Sequence, residues 1–150
     1  MDIITSKLSF SFSVHVTEEF EKNMTALSNL TKGTNEDQAI ISKSRLEGGY
    51  GNPIEFVEVS YTKNAAIEKI IKIVSSRLTD ANKELLGSEF ENRFDLRRNT
   101  FFIRFDKNAI YDDKILITDS SNVIKLTIRL RAFTKQANFK NYLTDKGVIA

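Results

Sequence analysis

Between Leu8 and Val16 the apolar residues Leu8, Phe10, Phe12, Val14 and Val16 alternate with Ser9, Ser11, Ser13 and His15. This period of two predicts a strand buried on one face and wetted on the other. Thr17-Glu18-Glu19 then offers a cap and first-turn acids, and Phe20, Met24, Leu27 and Leu30 recur at helical spacing until Gly33. Together they predict a helix of about three to four turns. Thr34-Asn35-Glu36-Asp37 reads as a polar loop, and Ala39 through Leu46 as a second strand.

That strand runs into Leu46-Glu47-Gly48-Gly49-Tyr50-Gly51-Asn52-Pro53-Ile54, which holds half of the chain's six glycines and its one proline. Gly48, Gly49 and Gly51 suit a chain reversal or close approach by another group. Pro53 after Asn52 sets how the chain enters the next strand. Glu55, Val57, Val59 and Tyr61 then alternate with Ile54, Phe56, Glu58 and Ser60. Both faces of this strand are partly apolar, which places it inside a sheet. Thr62 is positioned to cap a helix whose stripe is Ala66, Ile67, Ile70, Ile71, Val74 and Leu78, with Lys63, Lys69 and Lys72 off it. Leu78-Thr79-Asp80 breaks and restarts the pattern. Leu85, Leu86, Phe90 and Phe94 continue it through Gly87, and Arg97-Arg98-Asn99-Thr100 turns out of it.

The remainder is β-rich. Phe101, Ile103 and Phe105 alternate with Phe102, Arg104 and Asp106. Lys114 to Thr118 and Asn122 to Ala132 then read as a hairpin across Asp119-Ser120-Ser121-Asn122. Ile124, Leu126, Ile128 and Leu130 face the core, and Lys125, Thr127, Arg129 and Arg131 face water. The order β-α-β-β-α-α-β-β-β predicts an α+β fold, a single two-layer domain over residues 1–133 with helices on one face of a mainly antiparallel sheet. Residues 134–150 are left open between a short docked helix and a frayed tail.

Composition narrows the setting. A chain of 150 residues, 41% hydrophobic and 28% charged, supports one core that buries about two-thirds of the unfolded surface. With no cysteine there is no disulfide framework and no thiolate chemistry. The start Met1-Asp2-Ile3-Ile4-Thr5-Ser6-Lys7 has no signal-peptide pattern, and no run approaches the roughly 18 apolar residues of a membrane helix. The expectation is a soluble, cytoplasmic protein without cofactor. A net charge of +2 does not by itself announce nucleic-acid binding, so the placement of the charges matters more than their total.

If the serine face of the first strand and the Lys125-Thr127-Arg129-Arg131 face of the last lie on one side of the sheet, that side carries hydroxyls and cations suited to phosphates. The plainer explanation is a solvated sheet face, which shows the same alternation whatever its function. Arg93, Arg97 and Arg98, with Arg104 nearby, either extend the patch or pair with Glu89, Glu91 and Asp95. The glycine loop matches neither a phosphate-binding P-loop nor a dinucleotide fingerprint, because no Lys-Ser/Thr follows it and a strand comes next. Tyr50 is either a stacking platform for a base or a core plug. His15, the only histidine, reads as a solvated strand residue, and no nucleophile elbow is present, so no catalytic residue is assigned. Asp106, Asp112, Asp113 and Asp119 would suit Mg²⁺ if gathered, but each also sits where turns favour aspartate, and no metal ligand is assigned.

Two segments carry a family likeness. Leu46 to Ile54, and Asn99-Thr100-Phe101-Phe102-Ile103-Arg104-Phe105-Asp106-Lys107-Asn108-Ala109-Ile110-Tyr111, resemble an archaeal family of RNA-binding proteins, also called exosome-subunit-like proteins. The likeness runs from about Leu8 to Phe133, includes the Asp119-Ser120 turn, and leaves the tail uncovered. The family pattern has histidine before the tyrosine where this chain has Gly49, so any role of that imidazole is absent here. The resemblance implies RNA binding and a fold like the large-subunit ribosomal protein that grips the smallest ribosomal RNA. On that basis the expectation is a non-catalytic RNA-binding module. Arg104, Lys125, Arg129 and Arg131 would contact the backbone, and Tyr50 and Asn52 the bases. The rival expectation is a protein-interaction or scaffold module, homodimeric in one form, that uses the wet sheet face or the segment from Phe139 to Leu143. A metal-dependent nuclease built on the aspartates is the third.

Overall fold

A computed structural model describes residues 2–15, 19–34, 36–47 and 53–150. Its elements are β1 (Ile3–His15), α1 (Phe20–Thr31), a 3-10 turn (Glu36–Gln38), β2 (Ile40–Glu47), β3 (Pro53–Tyr61), α2 (Asn64–Arg77), α3 (Asp80–Ser88), α4 (Phe90–Arg93), β4 (Phe94–Asp95), β5 (Thr100–Asp106), α5 (Lys107–Tyr111), β6 (Val123–Ala132) and α6 (Phe139–Asp145). The strands form one antiparallel sheet in the order β2-β3-β1-β6-β5-β4. The helices pack against it, so the fold is α+β as the hydrophobic pattern predicts.

The core face is made by the alternating apolar sets. Phe10 pairs with Val59 on one side and Leu126 on the other, and Leu8 pairs with Tyr61 and Ile128. With Phe101, Ile103, Phe105 and Ile124 they lie under Leu27, Leu30, Ile67, Ile70, Val74 and Ile110 of the helices, all buried. Each such leucine, isoleucine or phenylalanine contributes about 1.5–3 kcal/mol by leaving water.

The register slips once. Between Thr5 and Lys7 the pairing of β1 with β6 skips a residue, which places Ser6 and Lys7 opposite Arg129. This bulge lets Ile3 and Thr5 share the core face with Leu8 and Phe10, so β1 extends further toward the N-terminus than strict alternation indicates. The segment after residue 133 docks. Leu143, Val148 and Ile149 are buried, the Tyr142 hydroxyl lies 2.9 Å from Thr5 Oγ1, and the Ala150 amide donates to the Lys83 carbonyl at 3.0 Å.

Three local expectations are corrected. Lys114 to Thr118 does not form a hairpin with the last strand, because β6 already has both edges occupied, by β1 and β5. That segment lies along the outer side of β5 instead. Ile117 bridges Phe105, Asp106 N–H donates to the Leu116 carbonyl at 2.8 Å, and Thr118 N–H donates to the Arg104 carbonyl at 3.1 Å. The helical run through Phe94 is interrupted at Glu89 and stops one residue short: α3 ends at Ser88, α4 carries on over Phe90–Arg93, and Phe94 belongs to β4, where it stacks on Phe90 at 5.0 Å. Thr62 is not a cap. The N-cap of α2 is Lys63, without a side-chain bond, so apolar burial rather than a cap holds that helix. Glu19, the N-cap of α1, also makes no side-chain cap bond, while Thr17 and Glu18 lie outside the described residues. Thr79, by contrast, forms a reciprocal capping pair with Asn82 that restarts the chain as α3.

Candidate nucleic-acid interface

The strand register decides what the helix-free face carries. Ser11 pairs with Glu58 and Lys125, and Lys125 pairs in turn with Arg104, so one row crosses β3, β1, β6 and β5 as Glu58-Ser11-Lys125-Arg104. The neighbouring row is Ser60-Ser9-Thr127-Phe102, and the next runs from Lys7 through Arg129 to Thr100. Arg131 follows, opposite Ile4. The serine face of β1 and the basic face of β6 are therefore the same surface. Arg104, Lys125, Arg129 and Arg131 share it because residues two apart on a strand face the same way and antiparallel partners keep that sense across the sheet.

Its electrostatics are one-sided. Glu58 is the acid in these rows, and it is held by Lys7 at 3.2 Å. Among the described residues Arg104, Lys125, Arg129 and Arg131 have no carboxylate within ion-pair distance. Lys125 lies over the Phe102 ring, its Nζ 4.1 Å from the centroid, and Arg131 lies 5.2 Å from the Phe133 centroid. Burial, and then the charge of Arg104 beside it, lowers the pKa of Lys125. An anion docked between the two would relieve that repulsion. A cleft of about 340 Å³ opens here, with Phe102, Arg104 and Lys125 on one wall and Arg93 opposite. The acids near Arg93 are engaged by it, Glu89 at 2.8 Å and Asp119 at 3.7 Å.

The second basic cluster divides. Arg93 pairs with acids, whereas Arg97 and Arg98 use only their backbone amides on Asp95 Oδ1, at 2.9 and 3.4 Å. Their side chains line a shallow cleft with Arg129 and Arg131. The sequence weighs Arg97 and Arg98 without assigning them a site. The available signal is the Asp95 to Asn99 turn, which presents two adjacent arginines between two strand-forming aromatics.

The other candidates fare differently. The aspartates are not brought together: Asp106 caps α5 through the Ala109 amide at 2.9 Å, Asp113 is bound by Lys32 at 3.0 Å and Arg77 at 2.8 Å, and Asp119 faces Arg93. Among the described residues no three His, Cys, Asp or Glu side chains are grouped to hold a metal ion. His15 is exposed at the end of β1, opposite Ile54. Pro53 opens β3 opposite Glu47, while Gly48, Gly49, Tyr50, Gly51 and Asn52 lie outside the described residues. No helix among the described residues is long and apolar enough to cross a membrane.

A family model described as RNA binding matches residues 7–130. The chain belongs to this RNA-binding family. It is similar to the RNA-binding protein PAB1135 of Pyrococcus abyssi, with 28% identity over 121 residues that cover 80% of this chain and 78% of that protein. It is also similar to the uncharacterized protein MJ0213 of Methanocaldococcus jannaschii, with 23% identity over 130 residues, 86% of this chain and 87% of the relative. Among solved structures, protein AF2318 of Archaeoglobus fulgidus superposes with a TM-score of 0.81 at 28% identity, covering 95% of this chain and 99% of that one. Mth689 of Methanothermobacter thermautotrophicus gives 0.74 at 22% identity, covering 95% and 97%, a likeness of fold alone. The RNA-binding family's span takes in Arg97, Arg98, Arg104, Lys125 and Arg129 and stops one residue short of Arg131.

Proposed function

We propose that this protein is a non-catalytic RNA-binding module that holds the RNA backbone on the helix-free face of its sheet. Arg104, Lys125, Arg129 and Arg131 neutralise phosphates, and the half-buried Ser11 and Thr127 lie between them as hydroxyl partners for phosphate or ribose oxygens, while Ser9 is buried. One observation carries this reading: the register puts four cations, without acidic partners among the described residues, on the sheet surface opposite the buried core face. Membership of the RNA-binding family supports it independently. Tyr50 and Asn52 are proposed as base contacts from the loop between β2 and β3. The kinship with exosome subunits and a ribosomal protein remains what the resemblance implies and adds no residue to this interface.

The test is binding of labelled single-stranded RNA and a matched duplex DNA across a salt series. Saturable, RNA-preferring binding that weakens steeply with salt is the expected result. Binding indistinguishable from background at low salt would refute the reading.

The rival reading, a protein-interaction module, is favoured by β2. Among the described residues it pairs with β3 alone, and Ile40, Ile41 and Leu46 are 54%, 48% and 53% exposed. An unpaired edge with exposed apolar residues is a template for another strand. Light scattering over a concentration series separates the cases. A monomer throughout removes the homodimer.

A further inference from the structure

Half of the chain's arginines meet in one place. Of eight in the sequence, Arg97, Arg98, Arg129 and Arg131 line a single shallow cleft of about 390 Å³ with Ser6 and Asn99, and no lining residue is acidic. Two of the other arginines are neutralised: Arg77 lies 2.8 Å from Asp113, and Arg93 2.8 Å from Glu89. No ion pair among the described residues engages the four in the cleft.

The backbone builds this convergence. Asp95 Oδ1 accepts the amides of Arg97 and Arg98, and the Thr100 hydroxyl donates to the Arg98 carbonyl at 2.9 Å. Asn99 turns the chain at a φ of 50°, and its carbonyl accepts the Leu130 amide at 2.8 Å, which ties the turn to β6 between Arg129 and Arg131. Phe94 and Phe101, at the two ends of the turn, both stack on Phe90, at 5.0 and 5.8 Å, which anchors a β4 of only two residues. From the opposite side the β1 bulge brings Ser6, whose hydroxyl donates to the Arg129 carbonyl at 3.3 Å. The backbone thus fixes where four exposed arginines emerge side by side before any ligand arrives, and an anion between them relieves their mutual repulsion.

We propose that this cleft binds a terminal phosphomonoester of RNA, the phosphate on a 5′ or 3′ end, in preference to an internal phosphodiester. This rests on the RNA reading and names which part of the RNA the cleft takes. An internal linkage brings a single negative charge, whereas a monoester carries about −1.5 to −2 at pH 7 and three acceptor oxygens. Guanidinium forks bind such an oxygen set in bidentate pairs, and the Asn99 side-chain amide lies alongside as a further donor. The position agrees, since the cleft lies where the basic stripe of β6 meets the Arg97-Arg98 turn, at the end of the track rather than its middle.

The experiment compares three single-stranded RNAs of one sequence, carrying a 5′-phosphate, a 3′-phosphate, or hydroxyls at both ends, by fluorescence anisotropy. One phosphorylated form should bind about tenfold tighter than the hydroxyl-ended RNA, the scale of added bonds to a charged group. That preference should shrink as pH falls from about 7 to 5 and the monoester loses its second charge. The double variant Arg97→Gln/Arg98→Gln keeps the turn's backbone hydrogen bonds, which circular dichroism checks, and should erase the difference between ends. Equal binding of all three RNAs overturns this proposal and leaves the RNA reading standing, and so does a preference that survives in the double variant. Failure of every RNA to bind overturns both.

Discussion

Neutralising Arg129 and Arg131 together should change how binding depends on salt, by an amount the structure sets. Four cations on the helix-free face, Arg104, Lys125, Arg129 and Arg131, lack acidic partners among the described residues. If each neutralises one phosphate of a hydroxyl-ended single strand, log affinity falls against log salt with a slope of about −3, since each contact contributes about 0.7. Raising salt from about 50 to 200 mM then weakens the parent protein about fifty-fold. In Arg129→Gln/Arg131→Gln two contacts remain, the slope falls to about −1.4, and the same salt change weakens binding only about seven-fold. Both side chains are exposed, and among the described residues their guanidinium groups hold no hydrogen bond, so the fold should be unchanged by circular dichroism. Anisotropy titrations at four or more salt concentrations give the slopes. A matched double, Lys69→Gln/Lys72→Gln, removes the same charge from the exposed side of α2 and should leave the slope alone. If the two doubles flatten the slope equally, net charge rather than this face governs binding, and the site assignment fails.

Other outcomes follow from the packing. Gly87 lies in the last turn of α3, where alanine is normally favoured, yet a Cβ there would collide with the Ala150 carbonyl. Gly87→Ala should therefore lower unfolding stability in urea by about 1–3 kcal/mol, and a more stable variant would contradict the docking of this segment. Asp113 links α1 and α2 through Lys32 and Arg77, and the Lys32 hydrogen bond, followed by the Arg77 charge, depresses its pKa. Its contribution is present above the ordinary aspartate range and is lost as pH falls through the lowered value, so Asp113→Asn should blunt the drop in Tm on acidification. An unchanged acid profile would mean the cluster does not act on stability. Tyr61 shows the opposite sign: burial, with the Glu36 charge adding to it, raises its phenol above 10.0. The folded state holds the proton that the unfolded chain releases, so stability should fall as pH rises beyond about 10, and Tyr61→Phe should remove that alkaline slope.

What the sequence shows best are the elements with one wet face. The alternation in β1 and β6 is legible because each has serines or cations on one side and a continuous apolar set on the other. The α2 stripe is legible for the same reason at helical period. Pairing is harder. Lys114 to Thr118 has the composition of a strand, but its partner was decided by which edges remained free, and β6 had none. Helix α5, five residues long, shows no period; it depends on the Asp106 cap and on packing against α1, where Asn29 donates to the Ile110 and Tyr111 carbonyls at 3.2 and 3.1 Å. The candidate site is half visible. Sequence places Lys125, Arg129 and Arg131 on one strand face and leaves open whether the β1 serines share it, which only register can answer. The meeting of Arg97 and Arg98 with Arg129 and Arg131 depends on long-range pairing, Thr100 opposite Arg129 and the Leu130 amide on the Asn99 carbonyl, that no local pattern encodes.

The central claim is where RNA lies on this molecule. The most direct measurement is an amide chemical-shift map of the labelled protein titrated with single-stranded RNA. The largest shifts should fall along β1, β5 and β6, around Ser9, Ser11, Phe102, Arg104, Lys125, Thr127 and Arg129, with α1 and α2 largely silent. Shifts concentrated on α1 and α2, with these strands unmoved, would contradict it.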